Sequence, residues 1–236
     1  MKILVIGGSG HVGGLVLPHL AQQHTLRVFD VRPPANSGWE YITGSVGDLA
    51  ALCQAAEGMD ALLYMAMGNK QFATPEAITT NLDVNIKGVY LALYAAHQAG
   101  ITQAVYTSSM SIYGGDLMQR YFADEELTPD SSQLYGFTKR IGEEVCRNAA
   151  REWGMHVNAL RLCFPISEDE WLSKTRLGTP TLATTAGDVA RALLAALEYR
   201  GGFQAFMISG DYEQKLLNMS KAKRLLGWEP LARPVS

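Results

Sequence analysis

The sequence predicts an α/β protein built on a doubly wound parallel sheet. Three observations carry this prediction. Short strand-like runs, apolar on both faces, alternate with helix-length segments along the chain, as in a parallel sheet covered by helices. The length of 236 residues suits one large domain. The first strand also runs straight into a glycine-rich loop that opens a helix, the junction at which such sheets bind ligands.

The elements follow in order. Strands are predicted at 3–6, 26–29, 41–42, 61–65 (ALLYM), 104–107, 157–162 and 206–208. Helices are predicted at 11–22, 48–57, 81–99, 134–153 and 188–199, the second opened by Asp48 and the last capped by Asp188. Pro18 falls inside the first helix, removes a ladder hydrogen bond and predicts a kink. The helix 81–99 is apolar nearly all round, so one face can meet the sheet and the other a partner subunit; a homodimer and a helix sandwiched within the monomer are both open. The least regular stretches are 116–132 and 167–187.

Composition excludes several classes of function. Apolar residues make up 47% and charged residues 18%, which is globular, and a formal net charge of -3 gives no broad footprint for nucleic acid or an anionic membrane. No stretch approaches the roughly 18 apolar residues of a membrane span. Three cysteines (Cys53, Cys146, Cys163) and five scattered histidines show no metal-ligand or redox spacing, so no metal site is expected. The expectation is a soluble cytoplasmic protein with reduced thiols.

The loop after the first strand is Gly7-Gly8-Ser9-Gly10-His11-Val12-Gly13-Gly14. In a strand–loop–helix context Gly7 permits the tight turn, Gly10 lets the backbone approach a pyrophosphate, and Gly13 lets the helix pack closely on the sheet. Asp30 follows 17 residues after Gly13, where a carboxylate accepts from an adenosine ribose and repels a 2′-phosphate. NAD is therefore expected over NADP, with Arg32 close enough to soften the preference. Asp48, with Leu49 beside it, either caps its helix or also meets the adenine amino group.

Tyr135-Gly136-Phe137-Thr138-Lys139 puts a tyrosine and a lysine one helical turn apart, on one side of a predicted helix. A free tyrosine, pKa near 10, is a poor base at neutral pH, and a neighbouring ammonium favours the phenolate. The strand 104–107 runs into Thr107-Ser108-Ser109-Met110-Ser111-Ile112-Tyr113-Gly114, hydroxyls at the sheet edge where ligands bind.

With Asn85-Ile86-Lys87-Gly88 and Arg161-Leu162 added, this ordered set covers about the first 165 residues and resembles the extended short-chain dehydrogenase/reductases of the NAD-dependent epimerase/dehydratase type. The resemblance implies a Rossmann-type fold and NAD as cofactor. It implies Tyr135 as acid/base, Lys139 on the nicotinamide ribose, Ser109 on the reacting oxygen, and Asn85 completing the proton relay. Gly7, Gly10, His11, Val12, Gly13, Asp30, Asp48, Leu49 and Phe164 would contact the cofactor. It also implies a division into a cofactor-binding core, 1–165, and a small substrate-binding region, 166–236, packed on the same domain.

The tail is shorter than such epimerases usually carry, and the layout resembles that of uronate dehydrogenases. That layout would place Lys174 or Arg176 near a substrate carboxylate; both also read as solvated loop charges. The implied activity is hydride transfer between NAD and a hydroxyl or carbonyl of a sugar, sugar acid or similar small molecule. A nucleotide-sugar 4-epimerase and a non-catalytic NAD-binding redox sensor are the alternatives.

Overall fold

A computed structural model describes residues 1–69, 74–176 and 181–234. Nine strands lie at β1 (Lys2–Ile6), β2 (Thr25–Asp30), β3 (Glu40–Thr43), β4 (Ala61–Tyr64), β5 (Gln103–Ser109), β6 (His156–Leu162), β7 (Pro165–Ile166), β8 (Thr184–Thr185) and β9 (Phe203–Ile208). Seven form one parallel sheet in the order β3-β2-β1-β4-β5-β6-β9, and β7 pairs with β8 in a small second sheet. The strand order reverses between β1 and β4, where Val5 pairs with Val28 on one side and Leu63 on the other. Such a reversal leaves a crevice beyond the strand C-termini, which is where the site lies.

Both faces of the sheet are covered. Alternate residues of β1 divide between two cores: Ile3 and Val5 pack with α1 (His11–Leu20) and α7 (Ala186–Glu198), while Leu4 and Ile6 pack with α2 (Leu49–Ala56) and α4 (Gly88–Gln98). The second face also receives α5 (Leu134–Trp153) through Cys146 and Ala149. The strand β9, from the final third of the chain, hydrogen-bonds to β6 and completes the main sheet.

Three stretches differ from the sequence expectation. The helix predicted at 81–99 begins earlier, as α3 (Pro75–Leu82), with Thr74 capping the Ala77 N–H and Pro75 in the first turn. It passes through a π-helical turn, Asp83–Lys87, before α4. Tyr64 donates to the Val84 carbonyl at 2.6 Å in that turn. A polar first turn hid the start, because PEAITTN has little apolar periodicity.

The helix predicted at 188–199 starts at Ala186, and its cap is Thr185, whose hydroxyl accepts from the Asp188 N–H. Asp188 has another task. Its carboxylate accepts from the Leu231 and Ala232 N–H groups and pairs with Arg191, while its carbonyl accepts from the Trp228 indole at 2.9 Å. The tail is thereby fastened to α7.

The stretch 167–187 is more regular than expected. It holds α6 (Glu168–Thr175), capped by Ser167, with Trp171 buried beneath and donating to the Ala183 carbonyl at 3.0 Å. Residues 177–180 of it lie outside the described residues. A last helix, α8 (Ser220–Leu226), ends at Gly227 in the left-handed region.

Candidate active site

A cleft of about 1030 Å³ runs along the C-terminal ends of the main sheet, from Gly7, Asp30 and Arg32 at one end to Tyr135, Phe164 and Pro165 at the other. Its first wall is the loop between β1 and α1. Gly7 has φ 82°, and a Cβ there would stand 2.3 Å from Ala66, so the turn and the close approach both require glycine. Gly13 lies beneath, where a Cβ would fall 2.0 Å from the Gly8 carbonyl oxygen. It serves helix packing and does not line the cleft. Gly10 caps α1 without a side-chain hydrogen bond, which leaves the first-turn N–H groups facing the crevice with His11 and Val12.

Asp30 ends β2 and is buried. It accepts from the Ser9 N–H at 3.0 Å and the Arg32 N–H at 3.1 Å. Those bonds fix the carboxylate at the cleft edge and leave lone pairs for a vicinal diol. Next to it the cleft is walled by Gly44, Ser45 and Val46, not by Asp48 and Leu49. Asp48 instead caps α2, accepting from the Ala51 N–H at 3.1 Å. Of its two sequence readings the structure supports the cap. Sequence reasoning missed Ser45 and Val46 because an aspartate attracts attention where a serine does not.

Tyr135 opens α5, half-buried, and its phenol hydrogen-bonds Ser109 at the end of β5. The Ser109 hydroxyl also accepts from the Ser111 N–H at 3.1 Å, which fixes its orientation. One turn on, Lys139 is fully withdrawn from solvent. It donates to the Thr107 carbonyl at 2.8 Å and lies 6.0 Å from the Tyr135 ring centre and 4.9 Å from that of Tyr106. Burial pulls the Lys139 pKa down to about 8, with Cys146 and Glu143 opposing. Burial also raises the Tyr135 phenol, and the Ser109 hydrogen bond offsets part of this. In the protein alone the ring's desolvation therefore favours the neutral phenol.

Asn85 does not line the cleft. It is buried in the π-helical turn, donating to Asn81 Oδ1 and Thr138 Oγ1 and accepting from the Gly68 N–H. It joins α3, α5 and the loop after β4, the three elements around Tyr135. Phe164 does line the cleft, 62% exposed and with φ 41°, an uncommon backbone region for a bulky residue. His11 hydrogen-bonds the Pro165 carbonyl at 3.1 Å, linking the glycine loop to the chain after β6. Lys174 pairs with Glu170 at 3.0 Å on the exposed side of α6, and neither it nor Arg176 lines the cleft.

A second polar network stands behind the first. Arg161 on β6 makes a bidentate pair with Glu143 on α5 at 2.8 and 3.0 Å and donates to the Tyr113 hydroxyl at 2.7 Å. Ser108 donates to Glu143 at 2.6 Å. Among the described residues no group of three or more His, Cys, Asp or Glu is arranged to hold a metal ion, and no helix is long and apolar enough to cross a membrane.

A doubly wound parallel sheet, with a glycine loop opening α1 and a carboxylate at the end of β2, defines a Rossmann-type fold, and Ser109, Tyr135 and Lys139 meet at its switch point. Within that class the chain belongs to the NAD dependent epimerase/dehydratase family, whose model matches residues 3–178. A 3-beta-hydroxysteroid dehydrogenase of Mycolicibacterium neoaurum is 32% identical over 173 residues, 68% of this chain and 46% of that one. L-arabinose 1-dehydrogenase (NAD(P)(+)) of Haloferax volcanii is 24% identical over 252 residues, 97% of this chain and 96% of that one. The solved structure of MoeE5 in complex with UDP-glucuronic acid and NAD superposes with a TM-score of 0.81 at 20% identity, covering 99% of this chain and 95% of that chain. The chain spans 39–46% of the length of the first curated relatives it matches.

Proposed function

We propose that this protein is an NAD-dependent oxidoreductase that moves hydride between NAD and a hydroxyl or carbonyl of a sugar, sugar acid or similar small substrate. The observation that carries the reading is the hydrogen-bonded Tyr135 and Ser109 at the cleft, with buried Lys139 behind them. The glycine loop and Asp30 fit a dinucleotide: the open first turn of α1 suits a pyrophosphate, and the carboxylate suits the diol of an adenosine ribose. Bound NAD would supply the hydride acceptor and, when oxidised, a positive charge. Arg32 at the same edge leaves room for some NADP use.

In the direction of oxidation, Ser109 holds the substrate oxygen and the Tyr135 phenolate takes its proton. Lys139, as an ammonium, makes that phenolate accessible near neutral pH. Asn85 positions the three elements around Tyr135 and carries no proton itself, since its side chain is satisfied within the fold. The arabinose relative, which matches nearly end to end, supports the substrate class. A nucleotide-sugar 4-epimerase is the second reading, favoured by the neighbour that holds UDP-glucuronic acid.

We read residues 1–165 as the cofactor-binding core and 166–236 as the substrate-binding part, in a cytoplasmic protein. We also read the face of α4 bearing Tyr90, Tyr94 and His97, which packs against Trp153 of α5, as a homodimer surface; Tyr90 is 44% exposed and packs edge-on to Trp153 at 5.6 Å. The test of function is NADH formation from NAD⁺ with a panel of aldoses, uronic acids and simple alcohols. Signal that Tyr135→Phe abolishes is the expected result. Signal that persists in Tyr135→Phe would overturn the mechanism. Silence across the panel with NAD bound, and a melting shift with uridine nucleotides, would favour the epimerase.

A further inference from the structure

A buried ammonium has three donors to satisfy and a charge to balance. Lys139 spends one donor on the Thr107 carbonyl at 2.8 Å. No carboxylate pairs with it among the described residues, because Glu143, one turn on along α5, is bonded twice by Arg161. What faces the ammonium is a ring. Tyr106, next to Thr107 on β5, has its ring centre 4.9 Å from Lys139 Nζ, closer than that of Tyr135 at 6.0 Å. The negative face of a tyrosine ring attracts a cation within about 6 Å of its centre, and more strongly where water is excluded. Lys139 and Tyr106 are both buried.

The fold makes room for this contact. Gly142 lies on α5 three residues after Lys139, and a Cβ there would stand 2.3 Å from Tyr106 Oη and 2.8 Å from its Cζ. The missing side chain lets the ring slide under the helix. Tyr64 packs behind it at 6.2 Å between ring centres and is itself fixed by its bond to the Val84 carbonyl. The Tyr106 hydroxyl is buried with no hydrogen-bond partner among the described residues, which costs stability in a core. The face of the ring, not its hydroxyl, is therefore the part that meets a functional group.

The titratable groups around Lys139 are Tyr106 on β5 and Tyr135, Glu143 and Cys146 on α5, with Tyr64 of β4 behind Tyr106. Burial draws the ammonium toward neutrality, and Cys146 and Glu143 oppose it. A ring opposes it as well, with one difference. A paired carboxylate would cancel the positive charge felt at Tyr135, whereas a neutral ring favours the cation and leaves its charge uncancelled. Resting on the oxidoreductase reading above, we infer that Tyr106 is a positioning residue of the reaction: the face of its ring seats the Lys139 ammonium behind Tyr135 and holds it there without a counter-ion.

The experiment titrates Lys139 directly, by NMR of protein carrying lysine isotope-labelled at Cε, the signal being assigned by its loss in Lys139→Met. In parallel, kcat for NADH formation is followed with pH on the best substrate of the panel. In the parent the signal should titrate at about 8. Tyr106→Leu should lower that midpoint by about one pH unit and kcat at pH 7.5 by about threefold. A trifluorinated phenylalanine incorporated at position 106 should do the same; it keeps the packing, even if the leucine variant fails to fold, and strips negative charge from the ring face. Tyr106→Phe keeps the ring face and loses only the unpartnered hydroxyl, so it should restore the parent's midpoint and pH profile and melt no lower. A midpoint that stays at the parent's value in the leucine and fluorinated variants overturns the inference and leaves the oxidoreductase standing, as does a midpoint that falls while kcat at pH 7.5 holds. No NADH from any substrate, with the midpoints moving as expected, overturns the oxidoreductase and leaves the ring as the seat of Lys139.

Discussion

Two polar networks share β5 and α5, the inner one adding Arg161 from β6, and come out opposite in character. Ser109, Tyr135 and Lys139 form one, at the cleft. Ser108, Glu143 and Arg161 form the other, within the fold. The serines are adjacent on β5, and Lys139 and Glu143 are one turn apart on α5. In the inner network every charge has its partner: Arg161 and Glu143 are bonded twice, and Ser108 and Tyr113 take further places. In the outer network a buried ammonium donates to a neutral carbonyl and faces aromatic rings. A fully paired buried charge specifies packing, whereas a buried cation without a carboxylate across from it is held at a cost in stability and is available to stabilise a negative charge that arrives later.

The largest test of that distinction is on the outer network. Tyr135→Phe should lower turnover by about 10²–10⁴, the range for a tuned acid–base group, while melting temperature and NAD affinity stay within error. A drop in melting of many degrees would mean that Tyr135 is structural and would blur the comparison.

The inner network should answer in stability. Arg161→Met leaves Glu143 buried without its partner and should cost about 3–5 kcal/mol in denaturant unfolding. The double variant Glu143→Leu with Arg161→Met should recover most of that loss. If the single variant is as stable as the parent, water reaches the pair and it is not a packing device.

Lys139→Met joins the two ideas through pH. The folded pKa of about 8 lies below the ordinary 10.5, so the unfolded chain binds the proton more tightly and stability rises with pH between those values. Below pH 8 the parent carries the full cost of a buried ammonium. The methionine variant, inactive, should therefore be more stable at pH 7 by up to about 3 kcal/mol, less the lost hydrogen bond to Thr107, and the gap should close toward pH 10. Urea unfolding at pH 7 and 9.5 measures it. A variant less stable at both values would show that Lys139 acts mainly in packing.

The smallest effects separate the two serines. Ser108→Ala should cost about 1–3 kcal/mol of stability and leave kcat unchanged, because it strips a hydrogen bond from a buried carboxylate. Ser109→Ala should lower kcat with little change in unfolding. Exchange of those two outcomes would reverse the assignment of the networks.

Much of this was legible in the sequence. The strands announced themselves because a parallel sheet covered on both faces needs residues that are apolar on both sides, as ILVI and ALLY are. Gly7, Gly13, Asp30 and the Tyr135–Lys139 spacing could be read because each is a local requirement: a positive φ, a close backbone approach, a strand end, one helical turn. The π-helical turn, the Asp188 fastening of the tail and the network of Glu143 with Arg161 could not. Each depends on a group more than a dozen residues away, or on a backbone adjustment that leaves no periodic trace.

What the sequence alone determined was therefore the class of fold, the glycine loop and the residue types at the reacting centre, since local geometry and hydrophobic period dictate them. The tertiary structure decided the environments. It placed Ser45 and Val46 at the cleft in preference to Asp48, took Lys174 away from it, and made Lys139 a cation near the point of losing its charge. Burial and neighbours set solvation, and solvation, which no single position encodes, sets what a side chain can do.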